Sequence, residues 1–174
     1  MEQALRSARR LVFIVFVAVF GFFAALVVVF RQPQLPVVTH EELTSARQRW
    51  AAAAIADYDV EVVVTGRQGA VYAVEVRHGE VRSARRDGQP LSGLRTIGTW
   101  SVPGMFATLE SDVDNQRRVA AGTADRDTPS VDLLASFEPT LGYPLRCQRV
   151  PWKNAGRNLE VTWEVRRFQR LSQE

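Results

Sequence analysis

The strongest pattern in the chain is an uninterrupted apolar run over residues 11–30, which contains no charged residue and no proline. Twenty residues in an α-helix span about 30 Å, the thickness of the hydrocarbon core of a bilayer. The run is longer than the apolar part of a cleaved secretory signal, and no Ala-x-Ala step follows it. It is also longer and more uniform than the apolar stripe of a core helix. The sequence therefore predicts one uncleaved transmembrane helix over residues 11–30, preceded by a tail over residues 1–10.

The charges on either side of this run predict its orientation. Three arginines precede it, at Arg6, Arg9 and Arg10, whereas Arg31 is the only Arg or Lys between the run and Arg47. By the positive-inside rule, the N-terminus lies in the cytoplasm and the rest of the chain lies outside it. We therefore expect a single-pass protein of a bacterial inner membrane, with its C-terminal domain in the periplasm.

Small residues recur along one side of the predicted helix. Ala18, Gly21 and Ala25 are spaced at i, i+3 and i+7, and such residues let the backbone of a second helix approach closely. Glycine and alanine are also ordinary in helices that face only lipid. Two alternatives follow: this side packs against the helix of an integral membrane partner, or it contacts lipid alone.

Beyond a short linker over residues 31–38, the pattern becomes that of a water-soluble domain. Thr39-x-x-Glu42 is a capping box, which predicts a helix that ends near Ile55. Apolar and polar positions then alternate with a period of two over residues 58–86, and glycine-containing turns interrupt them. This stretch predicts three strands joined by tight turns. Residues 89–99, which contain Pro90 and glycines, predict a loop.

A second helix followed by three more strands is predicted in the rest of the domain. Ser101 is a suitable N-cap and Pro103 fits the first helical turn. Residues 116–129 are polar and small, which predicts a surface segment. The expected inward-facing residues are Val102, Phe106, Leu109 and Val113 on the helix and Leu133, Cys147 and Trp163 on the strands.

The predicted order is thus helix, three strands, helix, three strands. Tight turns between consecutive strands favour antiparallel pairing, and the amphipathic helices would cover one face of the sheet. The fold class is therefore α+β: one transmembrane helix followed by an antiparallel sheet of about six strands with two helices on one face. We assign this extracytoplasmic domain to residues 39–174.

The net charge of the chain belongs to its membrane anchor rather than to the domain. The chain has 22 Lys and Arg against 19 Asp and Glu. Four of the arginines flank the apolar run and one glutamate lies in the tail, which leaves 18 charges of each sign for the domain. A neutral domain argues against nucleic acid as a partner.

Within the neutral domain, charges of one sign gather in two places. Acidic residues gather over residues 110–138, from Glu110, Asp112 and Asp114 to Asp125 and Asp127, and basic residues lie around Arg166 and Arg167. Asp125, Asp127, Arg166 and Arg167 are candidates for docking on a charged partner. The alternative is that both clusters are ordinary solvated surface.

Residues that carry catalytic or metal chemistry are scarce in the sequence. His40, His78 and Cys147 are its only histidines and cysteine, fewer than the four ligands of a structural zinc site. No nucleophile elbow or phosphate-binding glycine loop is present, and the Asp-x-Asp pairs lack the later glycine and glutamate of a calcium loop. The sequence predicts a protein that is not an enzyme, with no catalytic residue, metal or cofactor. Cys147 is expected to be a small buried hydrophobe.

Several short motifs in the domain stand out together. They are Trp50, Ile55-Ala56-Asp57-Tyr58, Asp87-Gly88-x-Pro90, Thr96-Ile97 before Met105-Phe106, and the run FEPTLGYP over residues 137–144. Over residues 45–168 this set resembles a domain-of-unknown-function family of exported bacterial proteins, many of them lipoproteins. Members usually have Tyr-Asp-Pro in place of Phe137-Glu138-Pro139, and a pair of cysteines that this chain lacks. The resemblance implies an extracytoplasmic α+β domain and brings no catalytic residues.

Two functional classes agree with these observations. In the first, the chain is a non-catalytic accessory or scaffold subunit of a larger membrane complex, with its helix packed in the membrane and its domain on the outer face. Photosynthetic or respiratory complexes are candidate hosts, because they recruit single-helix accessory proteins. In the second, the chain is an independent membrane-anchored binding or regulatory module in the periplasm.

Overall fold

The computed structural model describes residues 35–66, 69–125, 127–128, 130–151 and 160–171. All of them belong to one compact unit, Leu35–Glu174. The predicted transmembrane helix lies outside the described residues, as do the tail before it and the first part of the linker. Within the described ranges, no helix combines the length and the apolar character that crossing a bilayer requires.

Helix α1, His40–Ala53, begins as the sequence predicts. The side chain of Thr39 accepts a hydrogen bond from the backbone N–H of Glu42, and the carboxylate of Glu42 accepts one from the backbone N–H of Thr39. The helix ends earlier than predicted, because Ala54 takes a left-handed conformation with φ of 47°. Its inner side buries Leu43 and Ala46 against the sheet.

The sheet has seven antiparallel strands in the order β4-β3-β2-β1-β7-β6-β5. The alternation in the sequence identified six of them. The seventh, β4, has two residues and pairs only with the end of β3, in a stretch predicted to be loop. The bounds are β1 Tyr58–Gly66, β2 Ala70–Arg77, β3 Glu80–Arg86, β4 Gln89–Pro90, β5 Val131–Phe137, β6 Pro144–Pro151 and β7 Val161–Arg170.

Two helices separate the strands of the first half from those of the second. Helix α2, Leu94–Ile97, is a single turn in a stretch predicted to be loop. Helix α3, Val102–Ala120, starts at the predicted cap, where the Ser101 side chain accepts a hydrogen bond from the backbone N–H of Gly104. The helix ends at Ala120 and so includes the first five residues of the stretch 116–129, for which the sequence predicts a surface segment. The amide of Gln116 is bonded to the backbone carbonyl of Val131 at 2.6 Å and so ties the end of α3 to β5.

The core lies between one face of the sheet and helices α1 and α3. Every second residue of β1 and β2 is buried, as the alternation predicted. The predicted inner stripe of α3 is buried as well, with Met105 added to it. The largest fully buried side chains include Trp163, Tyr58, Met105, Leu109 and Leu133.

Four aromatic side chains join α1 to the sheet. The ring of Trp50 meets that of Tyr58 edge-on, with ring centroids 5.5 Å apart. Phe168 of β7 stacks on Tyr58 at 5.3 Å and on Tyr143 at 4.6 Å. Such pairs add about 0.5–1.5 kcal/mol beyond the burial of their area. The cluster therefore fixes α1 over the centre of the sheet.

The turn between β5 and β6 packs directly on α1 at Gly142. This residue has a φ of +81°, and a Cβ atom placed on it would lie 2.2 Å from the backbone carbonyl oxygen of Ala46. Only glycine satisfies both conditions, because L side chains disfavour this conformation and no real Cβ approaches an oxygen so closely. The glycine of the Gly-Tyr-Pro motif is thus required by the contact between the turn and the helix.

We expect Gly142→Ala to destabilise the domain by about 3 kcal/mol or more, because it adds a steric clash to the cost of a left-handed conformation. Gly88→Ala is the matched control. Gly88 has nearly the same φ, +80°, but nothing lies within 4 Å of the added Cβ, so about 1 kcal/mol is expected. Denaturant unfolding of the full chain in detergent, followed by tryptophan fluorescence, measures both. An equal decrease in the free energy of unfolding for the two variants would contradict the close contact between Gly142 and Ala46.

Candidate functional site

Some of the predicted site residues lie outside the described ranges. They are the orienting arginines Arg6, Arg9 and Arg10 and the small residues Ala18, Gly21 and Ala25. The four predicted docking residues, two aspartates and two arginines, lie within these ranges.

The predicted acidic docking residues lie in the segment that follows α3. Asp125 is highly exposed, and one of its carboxylate oxygens accepts a hydrogen bond from Arg118 of α3 at 3.2 Å. Asp127 is exposed in the same segment, two residues further on. An arginine of the same neighbourhood therefore already offsets part of this negative charge.

The predicted basic docking residues lie on β7, next to the middle of the sheet. The register between β1 and β7 shifts between Glu61 and Val62, so that β7 carries an extra residue there. Because a bulge lets two successive residues face the same side, Arg166 and Arg167 are both exposed. Arg166 lies 3.4 Å from a carboxylate oxygen of Glu61, and Arg167 donates to the side chain of Gln169 at 2.6 Å.

The acidic and basic pairs are on different elements and have different neighbours. Strand β6 separates β7 from β5, the strand that follows the acidic segment. Among the described residues no hydrogen bond or ion pair joins Asp125 or Asp127 to Arg166 or Arg167. The two clusters are therefore two separate candidate contact points.

A buried ion pair that the sequence analysis missed joins α3 to β6. The Asp112 side chain is only 6% exposed, and its two oxygens accept hydrogen bonds from Nε and Nη2 of Arg149 at 2.5 and 2.8 Å. This bidentate pairing raises the pKa of Arg149 above its usual value. A signal was present in the sequence, since Asp112 stands between Leu109 and Val113 on the apolar stripe of α3. A carboxylate at such a position needs a buried partner.

Two other acidic residues of α3 also face arginines. Glu110 forms an ion pair with Arg47 of α1, which connects the two helices. Asp114 lies 3.9 Å from Arg117, one turn further along α3. Both pairs are at least partly exposed, and such pairs contribute little to stability. Much of the acidic cluster seen in the sequence is therefore neutralised locally.

Cys147 is fully buried in the sheet, which confirms the prediction of a small core residue. Its burial raises the pKa of the thiol to about 12. The thiolate is the reactive form of cysteine, so the folded protein holds this side chain in an unreactive state.

A groove with a volume of about 420 Å³ lies between α1 and β5. Its walls include Glu41, Ser45 and Arg49, which follow each other at intervals of four along one side of α1, and Pro36 and Phe137 on the opposite side. No local pattern in the sequence predicts this groove, because α1 and β5 are far apart in the chain. Pro36, the second of the described residues, thus forms part of the groove.

Arg49 forms no ion pair among the described residues, although Glu41 and Glu42 line the same groove. Its Nη1 donates to the hydroxyl oxygen of Ser45 at 2.9 Å. Its Nε is buried and has no hydrogen-bond partner in the described part of the chain. Buried donors are almost always paired, and this nitrogen, which is closed off from solvent, is an exception within the fold.

The motifs that carry the family resemblance have structural partners. A carboxylate oxygen of Glu138 accepts hydrogen bonds from the backbone N–H groups of Thr140 and Leu141, which closes the turn that leads to Gly142. Asp87 accepts one from the backbone N–H of Val71 at 2.8 Å. The hydroxyl of Tyr58 is bonded to the first backbone N–H of α3, at Val102. These residues hold turns and helix ends in place.

Comparison of the chain with protein-family models, with curated proteins and with solved structures finds no match. The resemblance to the exported bacterial family therefore stays a prediction from the motifs.

We expect Asp112→Asn to destabilise the domain by about 3–5 kcal/mol, because it leaves the partly buried guanidinium of Arg149 without its counter-charge. Asp114→Asn, two residues further on the same helix, removes only an exposed contact and should change the free energy of unfolding by less than about 0.5 kcal/mol. Denaturant unfolding of the full chain in detergent measures both. A small effect at both positions would show that the Asp112–Arg149 pair does not hold α3 to β6.

Proposed function

We propose that this chain is a non-catalytic accessory subunit of a bacterial membrane complex. Its single helix is packed in the inner membrane, and its periplasmic α+β domain is docked on the outer face of the same partner. The apolar run over residues 11–30, joined to a compact domain that begins at Leu35, is the observation that carries this proposal.

The short connection between the two parts supports attachment at two points. Five residues separate the end of the apolar run at Phe30 from Pro36, where the hydrogen bonds to β5 begin. An extended chain over this stretch covers at most about 21 Å. A helix and a domain tethered this closely raise each other's effective concentration at a common partner.

The polar groups of the domain core support a structural rather than a chemical role. Asp112 and Arg149 bind each other, Ser101 caps α3, and the Tyr58 hydroxyl accepts the first N–H of that helix. Each of these groups is used to fix an element of the fold. The bulge in β7 exposes both Arg166 and Arg167, and bulges commonly redirect side chains towards a partner or ligand.

The second candidate function is an independent membrane-anchored binding or regulatory module. The groove at Arg49 favours it, because a concave site lined by a guanidinium and by the carboxylates of Glu41 and Glu42 suits a small ligand that carries charge of both signs. The two functions differ in co-purification. An accessory subunit co-purifies with a defined membrane protein in mild detergent, whereas an independent module does not. Photosynthetic and respiratory complexes are the first hosts to examine.

Labelling of an added surface cysteine tests the proposed orientation. Cys147 is unsuitable because it is buried, whereas Val119 at the end of α3 is 43% exposed. We expect Val119→Cys to react with a membrane-impermeant maleimide once the outer membrane is permeabilised, while the inner membrane is intact. The unmodified chain, in which Cys147 stays protected, is the control.

A Ser7→Cys variant should behave in the opposite way, because it lies in the predicted cytoplasmic tail. It should react only after the inner membrane is broken. Reversed labelling of the two positions would show that the domain is cytoplasmic, and the proposal would then be wrong.

Close packing of the predicted transmembrane helix is tested by Gly21→Leu. The larger side chain should exclude a partner helix from the side formed by Ala18, Gly21 and Ala25. The amount of partner protein that co-purifies with the chain should therefore fall at least about tenfold. Val27→Leu is the control, since position 27 lies on the opposite side of an ideal helix. If both variants co-purify with the partner as the unmodified chain does, the helix is only an anchor and the second candidate function is favoured.

A further inference from the structure

We propose that the groove between α1 and β5 binds the headgroup of a phosphoethanolamine lipid from the outer leaflet of the membrane in which the chain is anchored. This inference rests on the proposed function, because it requires the domain to stand next to a bilayer. Its chemistry is that of a zwitterion, an anionic phosphate joined by a two-carbon linker to a primary ammonium.

The position of the groove in the chain is the first argument. Pro36 forms part of its wall and lies six residues after Phe30, where the apolar run ends. Those six residues reach at most about 21 Å. The headgroup layer on each side of a bilayer is about 5–8 Å thick. A connection of this length allows the groove to reach lipid headgroups.

The charge pattern along the groove is the second argument. Arg49 supplies a guanidinium whose contact with Ser45 directs it back along the helix, towards the turn that contains Glu41 and Glu42. Successive turns of a helix are about 5.4 Å apart. Ser45, to which the guanidinium is bonded, lies about one turn after Glu41 and Glu42 along the helix. This order of one positive and two negative residues is complementary to a phosphate followed by an ammonium.

Each end of the groove matches one end of the headgroup. The guanidinium of Arg49 is suited to phosphate, because its planar set of N–H donors binds phosphate oxygens in pairs. The exposed carboxylate of Glu41 suits a primary ammonium, which has three donors. Glu42 adds a second negative charge to this wall, although its carboxylate already accepts a hydrogen bond from the backbone N–H of Thr39 in the capping box. A trimethylated ammonium has no N–H donor, and a glycerol headgroup has no positive charge.

The walls of the groove are held in place by other parts of the fold. The turn at Gly142 contacts the backbone of Ala46 and the side-chain stem of Arg49, so that Arg49 is held from behind. The opposite wall is strand β5, whose backbone is bonded to the segment at Pro36 and Val38. A preorganised site loses little conformational entropy when a ligand binds.

Native mass spectrometry of the full chain tests the inference. The chain is reconstituted in nanodiscs made of equal parts of phosphatidylethanolamine, phosphatidylcholine and phosphatidylglycerol, and the lipids that remain bound on release are counted. We expect phosphatidylethanolamine to be retained about tenfold more than either other lipid, as a charge-assisted contact of this kind allows. Equal retention of the three lipids would overturn the inference.

Three variants assign the retention to the groove. Arg49→Gln should lower it about tenfold, and Glu41→Gln should abolish the preference over phosphatidylglycerol while the exposed position leaves the fold intact. Arg47→Gln, on the same helix but facing Glu110, is the control and should retain the lipid fully. Unchanged retention in both Arg49→Gln and Glu41→Gln would place the lipid elsewhere. Release of a partner protein by Arg49→Gln, with lipid retention unchanged, would instead identify a partner's carboxylate as the occupant and overturn the inference.

Failure of this inference and failure of the proposed function are distinguishable. If alkaline carbonate extracts the chain from membranes, or if labelling places the domain in the cytoplasm, the proposed function fails and the headgroup site fails with it. If the chain resists extraction and the domain is outside, but lipid retention does not depend on Arg49 and Glu41, only the headgroup site is wrong.

Discussion

The side chain of Tyr58 is the contact on which the arrangement of the domain depends. Its ring lies against Trp50 of α1 and Phe168 of β7, and its hydroxyl is 3.1 Å from the backbone nitrogen of Val102 at the start of α3. One residue on a central strand therefore meets both long helices and the neighbouring strand. Burial raises the pKa of this hydroxyl to about 12, so that it remains neutral and able to serve the helix end over the physiological range of pH.

Local signals predicted most of the fold correctly because the physics behind them is local. The capping box at Thr39 and the cap at Ser101 satisfy backbone donors within three residues, and the structure contains both. The alternation of apolar and polar residues along β1 and β2 indicates which face of each strand is buried, whichever strand it pairs with. The two elements that were missed, β4 and α2, are too short to carry any periodicity. Strand β4 exists only because the end of β3 offers it a partner.

The candidate site was harder to predict because it depends on contacts between distant parts of the chain. Asp112 looked like a member of an exposed acidic cluster, and only the position of Arg149, 37 residues away, makes it a buried hydrogen-bonded partner. The bulge at Glu61 and Val62 is likewise a property of two strands, and it decides that Arg166 and Arg167 face the same way. The groove at Arg49 has one wall from the first helix of the domain and the other from β5.

Helix α1 has two sides that serve different purposes, and this division links the fold to the proposed role. Its inner side, with Leu43, Ala46 and Trp50, is fixed to the sheet and to the Gly142 turn. Its outer side carries the charged wall of the groove. Because α1 supplies this wall and β5 supplies the opposite one, the inner contacts of α1 determine how far apart the two walls of the groove stand. A domain whose core were less firmly attached to α1 would not hold Arg49 and Glu41 in one fixed arrangement, and a preorganised zwitterionic site requires that arrangement.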